Sequence, residues 1–265
     1  MLTDFSDLTA SLRKTRISVR CGYVTKVSTG FIEAEGLSRH ARMGDLVSID
    51  TDGPQLTEGE VIALSENRVV IMTHGQDLAA AIGDLVLLNQ KRPICPTIEW
   101  RGRILDAFGS PLDGKPLRQG TDQAELRRAP PEAGLRKGLG ARVSTGLAAM
   151  DTLLPLARGQ RIGVFAGSGV GKTSLLGALA KGVSTDCVVI GLIGERGREL
   201  REFVDNVMGP EGMKRSVVVT ATSDRSPLLK RRAAWTATAI AEVLRDQGKH
   251  VLLIIDSLTR VAHAA

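Results

Sequence analysis

One segment of the sequence has the residue types and spacing of a phosphate-binding loop. Residues 166–173 read AGSGVGKT, which fits the pattern G-x-x-x-x-G-K-[ST] except that Ala166 stands at the first glycine. The glycines let backbone N–H groups curl around phosphate oxygens, where a side chain would obstruct them. We expect Lys172 to reach the β- and γ-phosphates and the Thr173 hydroxyl to hold Mg²⁺. The other residues expected to bind the nucleotide are Gly167, Ser168, Gly169, Val170, Gly171 and Ser174.

Carboxylates that follow two apolar runs could serve the same site. Asp256 ends the run HVLLIID, and a carboxylate beside a phosphate loop holds the Mg²⁺ shell. Glu195 follows the run CVVIGLI, at the strand end where it could orient and deprotonate the attacking water. Glu199 would lie on the same helical face and could hold metal-bound water. The alternative is a charged loop, GERGRE, whose acids and arginines pair only among themselves.

Other signals for chemistry are weak. The four histidines show no metal-ligand spacing, so a zinc site is not expected. The G-x-S-x-G pattern of a nucleophile elbow is not satisfied. No guanine-reading N-K-x-D tetrapeptide occurs, which favours ATP as the nucleotide.

The phosphate loop has a predicted strand before it and a predicted helix after it. Nearly unbroken apolar runs recur along the second part of the chain, as in strands buried on both faces of a parallel sheet. These runs are RIGVFA (161–166), CVVIGLI (187–193), SVVVTA (216–221) and HVLLIID (250–256). Helical stretches at 172–181, about 198–208 and about 228–247 are each closed by a glycine. This alternation predicts a nucleotide-binding α/β domain over residues 93–265.

The first part of the chain has a different pattern. Over residues 17–90, short apolar runs are interrupted about every 8–12 residues by Gly, Asp, Pro or Asn, which predicts a small barrel or sandwich. Residues 1–16 place four apolar side chains at helical spacing, with acids early and bases late. We expect an amphipathic helix there, either folded back on the body or docked on a partner or anionic lipid.

The composition limits the class of protein. With 43% hydrophobic and 24% charged residues in a chain of 265, disordered, collagen-like and coiled-coil classes are excluded. Three widely spaced cysteines fit free thiols in a reducing cytosol. No apolar stretch approaches the ~18 residues of a membrane span, and the amino end lacks the apolar core of a signal peptide. We therefore expect a cytosolic protein, attached at most to a membrane surface.

The net charge of +6 raises the question of a nucleic-acid partner. Much of the surplus lies in residues 115–142, and aromatic residues make only 3% of the chain. Few aromatic side chains argue against stacking on single-stranded nucleic acid. We expect a solvated or subunit-facing basic surface and no nucleic-acid partner.

Four segments together resemble the rotary ATP synthase catalytic subunit and, more closely, the flagellum-specific and other type III export ATPases. They are RGRILDAFGSPLDGKPL (101–117), VSTGLAAMDTLLPLARGQRIGVFAGSGVGKTSLLG (143–177), GLIGERGRELREF (191–203) and TSDRSPLLKRRAAWTATAIAEVLRDQGKHVLLIIDSLTR (222–260). A synthase β subunit would usually read GGAGVGKT in its loop and lack the S-D-R segment. The resemblance implies an α/β P-loop NTPase fold, RecA-like with a mostly parallel sheet, preceded by a small N-terminal β-barrel.

The family's site residues match positions of this sequence one by one. Lys172 matches the phosphate-loop lysine, Glu195 the catalytic glutamate and Arg196 the neighbouring phosphate-site arginine. Arg260 matches the arginine that follows the family's Walker B aspartate. The residues that the resemblance implies for magnesium are Thr173, Glu199 and Asp256, the last being the Walker B aspartate itself.

The resemblance also implies partners and a location. Family members assemble as homohexamers with the ATP site between subunits. They meet a cytosolic regulator, chaperone–cargo complexes and a membrane export gate, so a peripheral position at the inner-membrane export apparatus is expected. The segment at residues 1–16 resembles the one by which they contact their regulator and lipid. Hydrolysis of Mg-ATP would then energise protein export.

The family continues well beyond the position of Ala265. We therefore expect the carboxyl-terminal part of the fold to be absent, including the arginine supplied in trans and the adenine-contacting loop, and the chain to hydrolyse ATP weakly or not at all. Three alternatives stay open: a rotary synthase subunit, a noncatalytic docking module and a hexameric RNA translocase.

Overall fold

The described part of the chain falls into two compact units. A computed structural model describes residues 18–51, 56–74, 80–89, 93–167 and 169–265. The units comprise residues 1–91 and 92–265. The helix predicted for residues 1–16 lies outside the described residues. Within the ranges described, no helix combines the length and the apolar character that crossing a membrane requires.

The first unit is a closed antiparallel barrel of six strands. Its order is β1-β2-β5-β4-β3-β6, and β6 pairs with both β3 and β1 to close it. Alternate side chains point inward, and Ile32, Val47 and Ile71 are fully buried in its core. The strands are β1 (Cys21–Ser28), β2 (Phe31–Glu35), β3 (Leu46–Asp50), β4 (Thr57–Leu64), β5 (Arg68–Thr73) and β6 (Leu85–Leu88). The barrel expected from the sequence is therefore confirmed.

The second unit is built on a parallel sheet. Three of the predicted apolar runs form its strands β10 (Cys187–Ile193), β11 (Ser216–Ala221) and β12 (Val251–Asp256). The order is β12-β10-β11-β7, with the two-residue strand β7 (Ile104–Leu105) beside β11. Every side chain of β10 and β11 is buried, which explains their unbroken apolar sequences. The parallel α/β sheet confirms the predicted fold class.

Helices cover the sheet and carry the loops at its edge. They are α1 (Ala148–Thr152), α2 (Lys172–Gly182), α3 (Gly197–Glu202), α4 (Gly209–Met213), α5 (Pro227–Asp246) and α6 (Leu258–His263). A short antiparallel pair, β8 (Arg142–Val143) and β9 (Leu156–Ala157), precedes the phosphate loop. Ser226 caps the amino end of the long helix α5, and its hydroxyl accepts a hydrogen bond from the N–H of Leu229.

One predicted strand is absent. Residues 161–166 form no strand, and the side chain of Phe165 is 97% exposed. Among the described residues β12 pairs only with β10. The backbone N–H and C=O groups on the other edge of β12 are not paired with residues 161–166. An apolar run becomes a buried strand only where a neighbouring strand satisfies its backbone. The expectation that RIGVFA is a buried strand was therefore wrong for this chain.

A π-helical turn over Phe203–Met208 separates α3 from α4. It packs against α2: a Cβ at Gly177 would lie 2.2 Å from Cγ1 of Val207, so only glycine fits there. The carbonyl of Val207 accepts a hydrogen bond of 2.9 Å from Nζ of Lys181. Gly209, with φ of +62°, and Pro210 then end the turn, where the sequence predicted the helix to stop.

Candidate functional site

The phosphate loop forms an open concave backbone at the start of α2. Gly169 and Gly171 have φ angles of +76° and +93°, which favour glycine. A Cβ at Gly167, Gly169 or Gly171 would meet nothing within 4 Å, so the space around the loop is free. Gly171 caps α2 and Lys172 begins it, so the helix N-terminus lies at the loop. Ser168 lies outside the described residues.

Lys172 and Asp256 form a direct ion pair. Nζ of Lys172 lies 2.6 Å from Oδ1 of Asp256. The aspartate ends β12 and only 6% of its surface is exposed. Burial of a carboxylate is tolerable when a charged partner contacts it. Lys172 of the phosphate loop and Asp256 therefore lie together.

Glu195 lies beside Asp256 at the same edge of the sheet. Strand β10, which precedes Glu195, pairs with β12 so that Leu192 stands opposite Asp256. The backbone around Glu195 is fixed from β11 and its following loop. The N–H of Gly194 donates to the carbonyl of Ala221 at 2.7 Å, and the carbonyl of Glu195 accepts from the N–H of Ser223 at 2.9 Å.

The carboxyls of Glu195 and Glu199 interact and titrate as a pair. Burial, and next the hydrogen bond with Glu199, raise the pKa of Glu195 to about 7. The same bond and the backbone N–H of Arg196 hold the pKa of Glu199 below its usual range. One proton is therefore held on the Glu195 side of the pair. A pKa near the working pH suits a group that accepts a proton from water.

Arg196 and Glu199 make a local contact at the start of α3. The backbone N–H of Arg196 donates to Oε2 of Glu199 at 3.4 Å, and Nη1 of Arg196 lies 3.7 Å from Oε1. One of the contacts expected under the alternative interpretation, in which the charges of GERGRE pair among themselves, is therefore present. The Arg196 side chain is 63% exposed, and its described partner is this glutamate rather than the Lys172–Asp256 pair.

Arg260 is a site residue that the spacing of motifs did not identify. It lies on α6, just after β12, and its guanidinium contacts Glu195: Nη1 donates to the carbonyl of Gly194, and Nη2 lies 3.4 Å from Oε2 of Glu195. From the sequence, Arg260 has only a family match and no assigned role. The available signal was an arginine in the first helical turn after a strand that ends in aspartate.

The oxygen groups suit a magnesium ion in their chemistry. The Thr173 hydroxyl is at an exposed position beside Lys172, and the Asp256 carboxylate lies against the same lysine. Hydroxyl and carboxylate oxygens are ligands that Mg²⁺ takes alongside substrate phosphates. Within the described part of the chain, no three His, Cys, Asp or Glu side chains gather into a metal-binding group. Glu199 contacts Glu195 and Arg196, and no described contact joins it to Asp256.

Comparison with known proteins finds a family of nucleotide-binding domains. Residues 146–265 match the nucleotide-binding domain of the ATP synthase alpha/beta family. The chain is 44% identical over 245 residues to a flagellum-specific ATP synthase of Rhizobium meliloti strain 1021, covering 92% of this chain and 52% of that protein. Its identity to the flagellum-specific ATP synthase of Bacillus subtilis strain 168 is 41%, with 92% and 56% covered.

A solved structure extends the similarity to the fold. The assembled ATPase EscN of the enteropathogenic E. coli type III secretion system aligns with a TM-score of 0.80 at 36% identity, over 92% of this chain and 58% of EscN. EscN in complex with its central stalk EscO aligns with a TM-score of 0.83. The chain spans between half and three-fifths of the length of these relatives.

Proposed function

We propose that this chain, whose residues 146–265 match the nucleotide-binding domain of the ATP synthase alpha/beta family, binds Mg-ATP and acts in a P-loop ATPase that energises flagellar or type III protein export. The observation that carries the proposal is the contact between Lys172 and Asp256 at the open, glycine-lined start of α2. Similarity to flagellum-specific ATP synthases supports the export role over the synthase role.

The phosphates of ATP would bind at the loop. Backbone N–H groups of the loop and the N-terminus of α2 supply positive potential for an anion. Lys172 can exchange its contact with Asp256 for the β- and γ-phosphates, because its flexible side chain is one-third exposed. Val170 and Ser174 flank the same backbone and complete the proposed binding segment.

Glu195 would accept the proton of the attacking water. Its carboxyl lies at the carboxyl end of β10 and has a pKa of about 7, so a large fraction is ionised at neutral pH. Arg196 follows it and its exposed side chain can turn toward a phosphate. Both roles rest on this geometry and on the family match of the two positions.

Magnesium would be held by Thr173 and Asp256, with Glu199 reaching it through water. When bound, the ion would neutralise charge that develops on the phosphate oxygens. The part that this chain plays is to hold the Asp256 carboxylate at the loop, which its contact with Lys172 does.

Assembly and partners extend the proposal beyond the chain itself. EscN is described as assembled and as bound to a central stalk, which supports a homo-oligomer, proposed to be a hexamer, with sites between subunits.

The proposed partners are a regulator, chaperone–cargo complexes and a membrane export gate. Residues 1–16 are the proposed contact with the regulator and with lipid. We place the protein in the cytoplasm, at the periphery of the inner-membrane export apparatus. The proposed domains are 17–90 and 93–265.

The test measures binding and turnover separately. A fluorescent ATP analogue is titrated into the chain with Mg²⁺, and phosphate release is followed with and without RNA. Lys172→Ala should abolish turnover and weaken binding, because it removes the ammonium group proposed to contact the phosphates. The circular dichroism spectrum should be unchanged, because the Lys172 side chain is one-third exposed and is not part of the hydrophobic core. Lys214→Ala is the matched control, since it removes the same charge from a side chain that is 70% exposed.

Four outcomes separate the candidate functions. Normal binding by Lys172→Ala would remove the phosphate-loop assignment. Stimulation of turnover by RNA would favour a translocase. Retention by the chain of type III export chaperones, but not of unrelated chaperones, would support the export role. Absence of this retention together with tight nucleotide binding would favour a synthase-type subunit.

A further inference from the structure

We propose that Arg215 is a positioning residue that anchors the carboxyl end of α2 and thereby sets where Lys172 and Thr173 meet the nucleotide. The proposal rests on the nucleotide binding proposed above and adds a residue to it. Arg215 directly precedes β11, at the amino edge of the sheet, whereas the phosphate loop lies at the opposite end of α2. Its effect on the site therefore passes through the helix.

The guanidinium of Arg215 binds oxygen atoms at the end of α2 and in the loop that follows. Nη1 donates to the carbonyl of Lys181 at 2.9 Å. Nη2 donates to the carbonyls of Val183 and Thr185 at 2.6 and 3.0 Å, and it lies 2.9 Å from the hydroxyl oxygen of Thr185. The last carbonyls of an α-helix have no partner within the helix, and a cation near them interacts favourably with the helix dipole. One side chain thus joins the end of α2 to the loop.

The backbone of Arg215 is fixed to the sheet. Its carbonyl accepts a hydrogen bond of 2.9 Å from the N–H of Val188 on β10. The hydroxyl of the next residue, Ser216, is buried and donates to the carbonyl of Gly212 at 2.7 Å. The carboxyl end of α2 is therefore held against the amino ends of the two central strands, β10 and β11.

The other described backbone contacts at this end of α2 are weaker or act in one direction. The N–H of Ser184 donates to the carbonyl of Ser144 at 3.2 Å. A Cβ at Gly182 would lie 2.1 Å from the carbonyl oxygen of Thr145, so the two backbones are in close contact, which resists approach but not separation. Hydrogen bonds from a charged donor are about twice as strong as those between neutral groups. Arg215 therefore supplies the strongest hydrogen bonds to this end of the helix.

Close packing at the middle of α2 connects this anchor to the phosphate loop. Gly177 lies five residues after Lys172 and five before Gly182, about 7.5 Å from each at about 1.5 Å per residue. A Cβ at Gly177 would lie 2.2 Å from Cγ1 of Val207, so the helix touches the π-helical turn at this point. A rigid helix that rotates about this contact moves its two ends by similar distances in opposite directions.

Such a rotation would separate groups that the site brings together. Nζ of Lys172 lies 2.6 Å from Oδ1 of Asp256, which belongs to β12 and not to the helix. Rotation of α2 would change the positions of Lys172 and Thr173 relative to that carboxylate. Because a displacement of about 1 Å at a reacting group costs up to about 10²-fold in rate, a loose carboxyl end of α2 would impair the site.

Affinity measured below the unfolding transition separates positioning from stability. Arg215→Ala should weaken binding of a fluorescent ATP analogue with Mg²⁺ by about tenfold, at a temperature where circular dichroism shows the variant to be folded. Lys214→Ala is the matched control, because it removes the same charge from the neighbouring residue, whose side chain is 70% exposed, and it should bind as the parent does. A lower Tm with unchanged affinity would overturn the proposal, because Arg215 would then contribute to stability alone.

A second variant decides the question if Arg215→Ala does not fold. Arg215→Lys keeps the charge, but an ammonium is a point charge that cannot span the acceptors of the planar guanidinium, so affinity for the analogue should fall by about threefold. In that case unchanged affinity would overturn the proposal.

A spectroscopic readout does not depend on the nucleotide. In NMR spectra of the nucleotide-free chain, the backbone amide signals of Lys172 and Thr173 should shift in Arg215→Ala or, if that variant is unfolded, in Arg215→Lys. They should stay in place in Lys214→Ala. If the parent chain does not bind Mg-ATP, the proposed function fails, and shifted signals would still show that Arg215 positions the loop. If the parent binds Mg-ATP and the signals do not shift, anchoring through α2 is refuted.

Discussion

Nζ of Lys172 lies 2.6 Å from Oδ1 of Asp256, an ion pair between residues 84 positions apart in the chain. It joins the start of α2 to the end of β12. Each member neutralises the other, so a phosphate that takes Lys172 must compete with a buried carboxylate. A phosphate that arrives with a cation leaves neither charge unpaired, which is the physical reason to expect binding of nucleotide and Mg²⁺ to be coupled.

Asp256→Asn should therefore strengthen binding of ATP in the absence of Mg²⁺. Removing the negative charge leaves Lys172 free for phosphate and removes its repulsion, and about tenfold tighter binding corresponds to about 1.4 kcal/mol. The same variant should lose the gain in affinity that Mg²⁺ gives to the parent. The measurement is a fluorescence titration with EDTA and with Mg²⁺. Weaker binding of Mg-free ATP by Asp256→Asn would contradict the competition.

Glu195→Gln should keep affinity for Mg-ATP within a few-fold and lower turnover by at least about 10²-fold, because an amide cannot take a proton from water. The side chains are nearly equal in size, so the binding geometry survives. Glu202→Gln on α3 is the control, an exposed glutamate in the same segment. If turnover by Glu195→Gln falls less than threefold, Glu195 is structural.

The same carboxyl should make stability depend on pH. The pKa of Glu195 in the folded chain, about 7, lies above its ordinary value of 4.5. Between these values the folded state binds more protons than the unfolded state, so stability falls as pH rises. The Tm of the parent relative to Glu195→Gln should drop from pH 4.5 to pH 7 and level off above it. A difference in Tm that does not change with pH would show that Glu195 keeps its ordinary pKa.

Exposed apolar residues of the second unit should promote self-association. Phe165 is 97% exposed and Leu253 on β12 is 37% exposed, and β12 has an edge without a described partner. Phe165→Ser and Leu253→Lys should each lower light scattering at high protein concentration. Met43→Ser, at a residue 70% exposed in the barrel unit, is the control and should have no effect. Equal scattering from all three variants would place the association elsewhere.

Local patterns predicted the parts of the site that depend on nearby residues. The run of Cys187–Ile193 and that of Ser216–Ala221 became fully buried strands, and the helix after the loop begins at Lys172. The preference for glycine at a positive φ angle and the spacing of apolar residues along a strand or helix both depend on residues that are close together in the chain. Both can therefore be recognised in a single sequence. The loop and the acidic end of β12 were identified for this reason.

Contacts between distant segments were not readable in this way. The run 161–166 has the apolar sequence of a strand, but pairing depends on a neighbour that no local pattern reveals. The contact of Arg260 with Glu195 joins residues 65 positions apart, and the Arg260 side chain passes so close to Gly194 that a Cβ there would lie 2.7 Å from Cδ of Arg260. Sequence spacing suggests which residues share an edge of the sheet, whereas the direction of each side chain follows from packing.

The π-helical turn at Phe203–Met208 has a consequence for how the chain can change its length. A π turn holds one more residue than the α turn it replaces, and such turns behave as single-residue insertions within a helix. Deletion of one exposed residue there, such as Asn206, would let the α-helical register of α3 continue as far as Gly209, where the positive φ angle still interrupts the helix. The segment beside α2 is thus a place where this chain could lose one residue without a change in the pairing of the sheet strands.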